Sequence, residues 1–467
     1  MKGQKFQIKP TKSQASALLK WIGCQRFIYN AKVQDDRYFR SFARNALQHT
    51  GNYPPVDQKY SQYKAEAAFL KEVPSQVLRN GAVRWFEAYK RFFKKLGGRP
   101  AIKTKHGRQS ILLTSELFQL QQRENGNWFL YLGTKRFPVG HIKVNAHSLV
   151  TSKPKMIVVS VHAGQWSLSF NTDDADATTG EIIQFPEYTD ILDELSKYRY
   201  EELIQSTNGV DRGVVIKSCD AKQLVPHTLL TENDNRIARN EVNRKRYQRK
   251  LARQAKGSNR YRRTKQKIAR IARYKANAIY NLTHQVSHKM TSDKGTMIVA
   301  LEDLNTKGMT RSSKGTIEEP GKRVKQKSGL NRSILQSGWG QLRTKLQYKT
   351  FKRGKLLVLI PPHYTSQECS ACGTINKEAR LSQSEYACKA CGARENADIN
   401  AAKVIAKHAA FGVYQHNFAG QELSTRDGGK PKSQTPVELL VSRDVIKSYH
   451  AQNCEAGNRH LKLLIAS

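Results

Sequence analysis

Four cysteines in the last quarter of the sequence have the spacing of a metal-binding ribbon. They are Cys369, Cys372, Cys388 and Cys391, in the pattern Cys-x2-Cys-x15-Cys-x2-Cys. Two such knuckles place four thiolates around one tetrahedral zinc ion, and a glycine after each pair, Gly373 and Gly392, permits the sharp turn that follows. Two disulfides are the alternative, but the sequence opens without an apolar signal segment, and cytosolic thiols stay reduced. We therefore predict one structural zinc ion in a cytoplasmic protein.

Three further positions carry acids where a buried charge needs compensation. Asp211 and Glu302 each lie in a strongly apolar run that predicts a strand, and Asp398 opens an amphipathic helical pattern. Three carboxylates from two strands and a helix suit one or two Mg2+ ions, which could activate water against a phosphodiester. A neighbouring lysine could satisfy each acid equally well. Asp303 follows Glu302, and because strand side chains alternate between faces, only one of the two can point into such a site.

The charge of the chain indicates a polyanionic partner. Lys and Arg number 80 against 38 Asp and Glu, which gives a net charge of +42 and a pI near 10.0. A membrane surface is disfavoured because no apolar run approaches membrane-spanning length and no lipidation motif is present. The sequence also lacks a Walker-type phosphate loop and a recognisable Ser-His-Asp or Cys-His arrangement. We predict a nucleic-acid partner.

The N-terminal elements alternate between strand and helix patterns. Residues 1–11 contain a short alternating strand, residues 12–99 contain apolar positions at helical spacing, and residues 100–205 contain strands and a hairpin. We predict a β-barrel built from 1–11 and 100–205, with the helical block inserted into it. Within this block a second helix is predicted to start at Pro74. If it contacts nucleic acid, we expect the contacts to come from its basic residues Arg79, Arg84, Lys90, Lys94 and Lys95.

The C-terminal elements must position the acids. The acid-bearing strands and the helical pattern predict an α/β domain from residues 206–363 and 396–410, interrupted by the ribbon at 364–395. Residues 241–275 hold 15 Lys or Arg and one acid, which predicts a basic helical hairpin. A merely solvated helix face is the alternative, but repulsion among these cations favours a bound phosphate backbone. Residues 411–467 are predicted to be a disordered tail.

Five motifs resemble one known family. They are Gly209–Gly213, Ala300–Leu304, Tyr364–Gly373, Cys388–Gly392 and Asn396–Ala402. In this order they resemble the TnpB family of transposon-encoded RNA-guided DNA endonucleases, which is related to the miniature type V CRISPR effectors. The motifs cover roughly residues 209–405, and the N-terminal part resembles the family more loosely, through residues 25–30 and 91–95.

The resemblance implies a fold, an activity and partners. It implies a RuvC-type nuclease domain of the RNase H fold at the C-terminus, a WED-like barrel and a REC-like helical block. The family's metal-binding acids match Asp211, Glu302 and Asp398, which selects Glu302 over Asp303, with two Mg2+ ions expected. A guide RNA would direct cleavage of complementary DNA, double- or single-stranded, beside a short transposon-adjacent motif. One protein copy per RNA is expected rather than two.

Departures from the family and rival interpretations remain. Arg212 replaces an aliphatic residue often found after the first acid, and the tail after about residue 410 has no counterpart. A miniature type V CRISPR effector shares the fold and the chemistry. A nuclease-dead RNA-guided repressor is disfavoured because all three acids and all four cysteines are present. A DNA-strand transposase fits the order of the acids but not the ribbon.

Overall fold

The first strand of the sequence is a central strand of a seven-stranded antiparallel sheet. The computed structural model describes residues 2–50, 58–105, 107, 109–146, 154–172, 183–213, 219–222, 231–316, 318–382, 384–419 and 439–441, in two compact units, Met1–Ile183 and Gln184–Ser467. The first unit has the strands β1 (Lys2–Lys9), β2 (Gln109–Thr114), β3 (Phe118–Gln122), β4 (Trp128–Gly133), β5 (Pro138–Asn145), β6 (Met156–His162) and β7 (Gln165–Thr172). Its helices are α1 (Lys12–Thr50), α2 (Tyr63–Glu66) and α3 (Ser75–Phe93).

The order of these strands explains how the helices enter the sheet. The order is β2-β6-β7-β1-β5-β4-β3, so the chain leaves a central strand, forms α1 to α3 and returns at an edge. The two edge strands, β2 and β3, are joined by the 3-10 turn Ser115–Leu117 but are not hydrogen-bonded to each other where the structure describes them. The sheet is therefore open in its hydrogen bonding, and closure into a barrel stays a prediction, as do the domain boundaries.

The apolar positions predict a first helix over about residues 12–34, and helix α1 is longer than this. The apolar stripe ends near Val33, which is buried, whereas the helix runs to Thr50. Polar contacts stabilise this second half, since Asp36 accepts a hydrogen bond from Arg40 at 2.6 Å and another from Tyr89 on α3. An apolar pattern does not register such pairs, so it places the end of the helix too early.

The second unit is built on a mostly parallel sheet. Its strands are β8 (Thr207–Asp211), β9 (Cys219–Asp220), β10 (Ile298–Glu302), β11 (Leu356–Ile360), β12 (Glu385–Ala387), β13 (Arg394–Asn396) and β14 (Leu439–Leu440). Its helices are α4 (Tyr188–Leu195), α5 (Tyr200–Ser206), α6 (Thr231–Ala252), α7 (Asn259–Ser292), α8 (Thr306–Met309), α9 (Val324–Gln336), α10 (Trp339–Phe351) and α11 (Ala397–Ala419). The main sheet has the order β14-β11-β10-β8-β9, with β9 antiparallel to β8 and the other pairs parallel.

Helices cover both faces of this sheet, which is why its strands are continuously apolar. Val299 and Leu301 of β10 pack in a cluster with residues of α7 and α10. Ile298 and Ala300 of the same strand pack in another cluster with residues of α11. Alternate residues of each strand therefore belong to opposite layers, and the layer of an acid follows from its position in the strand.

The basic segment forms the predicted helical hairpin. Helices α6 and α7 are consecutive, and the ring of Tyr274 lies 4.5 Å from the guanidinium of Arg236 while the ring of Tyr247 lies 5.4 Å from the ammonium of Lys267. These contacts join cations of one helix to aromatic rings of the other. They leave most of the basic side chains facing outward.

The predicted disordered tail is wrong for the residues of it that the structure describes. Helix α11 continues to Ala419, because Phe411 and Val413 extend its buried face. Leu439–Leu440 adds a parallel strand to β11, and Val441 is buried beside it. Residues 420–438 and 442–467 lie outside the described residues.

Candidate metal centres

The four predicted cysteines come together in the ribbon. Their sulfur atoms all lie within 4.8 Å of one another, with 3.6 Å between Cys369 and Cys391 and 3.7 Å between Cys372 and Cys388. Zinc–sulfur bonds of about 2.3 Å in a regular tetrahedron place ligand atoms about 3.8 Å apart. Gly373 and Gly392 have φ values of 74° and 73°. The quartet therefore fits a tetrahedral zinc ion, and both glycines occupy the left-handed backbone region that their turns require.

Hydrogen bonds attach the ribbon to helix α11. The Asn400 side chain donates to the carbonyl of Glu368 at 2.7 Å and accepts from the backbone N–H of Ser370 at 2.8 Å. His408, two turns further along the helix, lies 2.8 Å from a carboxylate oxygen of Glu368, and both side chains are fully buried. Ser370 directly follows Cys369, the first of the four cysteines. The first knuckle is thus fixed to the helix whose first turn carries Asp398.

The start of that helix is also defined by the ribbon. Strand β13 ends at Asn396, whose side-chain oxygen accepts hydrogen bonds from the backbone N–H groups of Asp398 at 2.9 Å and Ile399 at 3.3 Å. This is the arrangement of a helix N-cap. The ribbon therefore fixes both the position of α11 and the residue at which it begins.

The two strand acids lie side by side on the face that α11 covers. Asp211 ends β8 and Glu302 ends β10, and in this parallel pair Val210 lies opposite Leu301. Both of those neighbours belong to the layer that contains α7 and α10. Since strand side chains alternate, Asp211 and Glu302 point to the opposite layer, where the first turn of α11 presents Asp398. The structure therefore brings the three predicted acids to the carboxyl ends of the parallel strands.

A glycine allows α11 to lie directly on β8. A Cβ atom built on Gly209 would stand 2.1 Å from the carbonyl oxygen of Ala402 and 2.5 Å from the backbone nitrogen of Ala406. Both obstructing atoms belong to the backbone of α11, so neither can rotate away. Because Gly209 precedes Asp211 on the same face of the strand, this close contact sets the separation between Asp211 and Asp398.

The acids repel one another in the absence of a cation. Burial, and next the charges of Glu302 and Asp398, together raise the pKa of Asp211 to about 7. Burial also raises the pKa of Glu302. Among the described residues, the cysteines are the one set of three or more potential metal-ligand side chains gathered within 4.8 Å, so the carboxylates are more widely spaced.

Neighbouring side chains orient two of the carboxylates. The Thr365 hydroxyl donates to Glu302 at 2.7 Å, and the Arg380 guanidinium donates to Asp398 at 3.4 Å. Asp303, in contrast, accepts from Arg343 of α10 at 2.8 Å. Asp303 therefore interacts with the α10 layer, and Glu302 with the layer that holds Asp211.

Arg212 is a residue whose role the sequence did not indicate. Its side chain is 5% exposed, and its guanidinium donates to the backbone carbonyl of Glu302. Burial lowers the pKa of Arg212 to about 10, which leaves it charged at neutral pH. It joins the ends of β8 and β10 where the two acids emerge. The only sequence sign of this role was a cation beside Asp211 in an apolar run.

In the part of the chain that the structure describes, no helix is both long enough and apolar enough to cross a membrane.

Comparison with known proteins identifies related families. Residues 199–313 match the family model "Probable transposase" (OrfB_IS605), residues 339–405 match "Cas12f1-like, TNB domain", and residues 1–35 match "Helix-turn-helix domain". The last description differs from the structure, in which residues 12–35 lie in the single helix α1.

Two curated relatives match almost the whole chain. "Putative RNA-guided DNA endonuclease InsQ" of Escherichia coli strain K12 is 32% identical over 449 residues, which span 93% of this chain and 97% of that protein. A "Putative RNA-guided DNA endonuclease" of Streptomyces pristinaespiralis is 26% identical over 446 residues, which span 92% of this chain and 95% of that protein. A Cas12f1 CRISPR-associated endodeoxyribonuclease of Sulfoacidibacillus thermotolerans is 46% identical over 65 residues, only 15% of its length. Because the chain is 32% identical to InsQ over 97% of the length of InsQ, it belongs to the TnpB family of transposon-encoded RNA-guided DNA endonucleases.

Proposed function

We propose that this protein is a transposon-encoded, Mg2+-dependent endonuclease that a guide RNA directs to complementary DNA. The observation that carries the proposal is the position of Asp211, Glu302 and Asp398, which come from distant parts of the sequence and meet at the carboxyl ends of two parallel strands. Ligand sites in open α/β sheets typically lie just outside the carboxyl ends of the strands.

The three acids are proposed to hold the magnesium ions. Mg2+ bound there would activate water and stabilise the leaving oxygen of a phosphodiester. Thr365 fixes the carboxylate of Glu302, and Arg380 restrains that of Asp398. The repulsion that raises the pKa of Asp211 is of the kind that a divalent cation relieves. The donor set, made of carboxylate oxygens alone, suits this hard cation.

The remaining parts have supporting roles in the proposal. The ribbon holds one zinc ion, takes no part in the chemistry and keeps α11 in place. The WED-like barrel is assigned to residues 1–11 and 100–205, apart from α4 and α5, which belong to the second unit. The REC-like block is 12–99, and the RuvC-like domain is 206–363 and 396–410. A net charge of +42 suits the backbone of an RNA–DNA heteroduplex, in which base pairing reads the sequence. We propose a cytoplasmic protein that binds its RNA as a monomer and reads a short motif beside the DNA target.

The transposon assignment is preferred over a miniature type V CRISPR effector. The relative InsQ is matched over 97% of its length, whereas the Cas12f1 of Sulfoacidibacillus thermotolerans is matched over 15%. The sequence similarity to that effector is therefore limited to a short segment of 65 residues.

Cleavage by acid variants tests the proposal. The protein is co-expressed with RNA from its own locus, and plasmid cleavage is measured with Mg2+ for wild type, Asp211→Asn, Glu302→Gln and Asp303→Asn. The first two variants should lose at least about 100-fold in cleavage rate, as expected when a group that stabilises developing charge is removed. Asp303→Asn is the matched control, because its side chain pairs with Arg343 instead, and it should cut within about tenfold of wild type. Equal cutting by Asp211→Asn and wild type would refute the assignment of these acids as the metal-binding residues of the nuclease.

A further inference from the structure

A cavity in the first unit lies between helix α1, helix α3 and the segment that leads into β2. Its volume is about 190 Å³, and its lining includes Gln25, Arg26, Tyr29, Arg84 and Lys103. A single water needs only about 15 Å³ of such space. The cavity can therefore hold a group much larger than water.

The charges in this cavity are all of one sign. Arg26, Arg84 and Lys103 line it, and the lining residues that the structure describes include no Asp or Glu. Elsewhere in the unit, basic side chains lie against acids, as Arg79 does with Glu116 at 2.8 Å and as Lys20 does with Glu72. The described lining therefore brings three basic side chains and no acid to one cavity.

Neutral acceptors hold the two arginines in place. Arg26 donates to the side-chain oxygen of Gln109 at 2.8 Å, and Arg84 donates to the carbonyl of Ser110 at 3.3 Å and to Gln25 at 3.4 Å. Gln25 is itself fixed by hydrogen bonds with both the N–H and the carbonyl of Leu112, each at 2.9 Å. The guanidinium groups are therefore positioned before any ligand arrives, which lowers the entropic cost of binding one.

Lys103 is held over an aromatic ring. Its ammonium lies 3.3 Å from the centre of the Tyr29 ring, and its backbone N–H and carbonyl bond the Asn30 side chain at 2.8 and 2.9 Å. Burial, and next the charge of Arg84, lowers the pKa of Lys103 to about 7. An anion in the cavity would favour the charged form of Lys103 and so raise this pKa again.

Helices α1 and α3, which carry Arg26 and Arg84, contact each other closely at a glycine. A Cβ atom on Gly81 of α3 would stand 2.7 Å from the carbonyl oxygen of Gln25 on α1. Gly81 precedes Arg84 by one helical turn, and Gln25 precedes Arg26. The close contact therefore brings Arg26 and Arg84 to the same cavity.

We infer that this cavity binds one backbone phosphate of a nucleic acid, with Arg26, Arg84 and Lys103 as its ligands. Guanidinium groups match the geometry of phosphate oxygens, and salt screens charges in a partly buried site less than charges on an open surface. The inference rests on the proposed function for the source of that phosphate, which is the guide RNA or the target DNA.

Salt-dependent binding tests the inference and distinguishes the two sources. The full chain is titrated with its co-purified RNA, and the RNA-bound protein is titrated separately with target duplex, each over a range of NaCl concentrations. In Lys103→Met and Arg84→Gln, one of the two affinities should fall about tenfold. The slope of log K against log salt for that ligand should also flatten by about 0.9 for duplex DNA or about 0.7 for a single strand. Lys103→Arg, which keeps the charge, should restore both quantities.

Lys20→Met is the matched control, because it removes the same charge from α1 outside the cavity. Melting temperatures identify a variant that fails to fold, in which case Arg26→Gln replaces it. Unchanged slopes in both titrations, or an equal change in Lys20→Met, would overturn the inference while leaving the proposed function intact. A wild-type protein that binds neither nucleic acid would refute both together.

Discussion

Replacing Gly209 with alanine should push helix α11 away from strand β8. The new methyl group would stand 2.1 Å from the carbonyl oxygen of Ala402, whereas ordinary contacts begin at 3.4 Å, so the two backbones must separate by about 1.3 Å. Overpacking of this kind costs about 1–3 kcal/mol. For a unit of this size, we expect the melting temperature to fall by roughly 2–12 °C.

The same displacement should reduce activity in molecules that remain folded. Asp398 moves with α11 and Asp211 stays with β8, so their separation changes by about 1 Å, a misplacement that can cost about 100-fold in rate. Single-turnover plasmid cleavage should be measured well below the melting temperature, so that unfolding does not contribute.

Gly340→Ala is the control, because a methyl group there meets no atom within 4 Å and the residue lies in helix α10 of the same unit. It should melt at or slightly above the wild-type temperature, since alanine favours a helix, and it should cut normally. A Gly209→Ala protein with wild-type melting and cleavage rate within twofold of wild type would refute the argument that this contact positions the acids.

Three further predictions concern the two metal centres. Because the pKa of Asp211 rises from its ordinary 3.8 to about 7, the folded metal-free protein retains a proton that the unfolded chain releases, so stability should fall as pH rises between these values. Mg2+ should then raise the melting temperature more at pH 8 than at pH 6, and the opposite order would contradict the assignment. Cys388→Ser should reduce bound zinc from about one ion per chain to near zero and lower the soluble yield, while Cys24→Ala keeps its zinc; metal analysis of both proteins decides this. Asn400→Ala should retain zinc yet lose about 1–3 kcal/mol in denaturant unfolding, since the buried carbonyl of Glu368 and the partly buried N–H of Ser370 lose their partner. Unchanged unfolding would show that the ribbon is attached to α11 by other contacts.

The sequence predicted the cysteine quartet because its geometry is local. Each pair is separated by two residues, and the glycine that follows specifies the turn. The acid-bearing strands were also predictable, since continuous apolar runs mark strands buried on both faces. The basic hairpin followed from charge and helical periodicity, and the structure confirms it.

Other features depend on contacts between distant residues, which no single-sequence pattern contains. Lys345 is 5% exposed and donates to the carbonyl of Tyr280 and the hydroxyl of Thr283, although its charge would place it on the surface. The choice between Glu302 and Asp303 needed the family resemblance, because alternation alone does not say which layer holds the site. The assignment of all three acids as metal ligands stays a prediction.

Strand β14 has a consequence for how far the protein can be shortened. It pairs with β11 along an edge, and Leu439 and Val441 are buried, with a Val441 methyl carbon only 2.5 Å from where a Cβ atom of Gly412 would stand. A truncated version that ends after α11 would leave the backbone of β11 unpaired at that edge, and such edges recruit strands from other molecules. Insoluble protein from a truncation of this kind would therefore reflect edge-to-edge association, even though every zinc ligand and every candidate catalytic acid was retained.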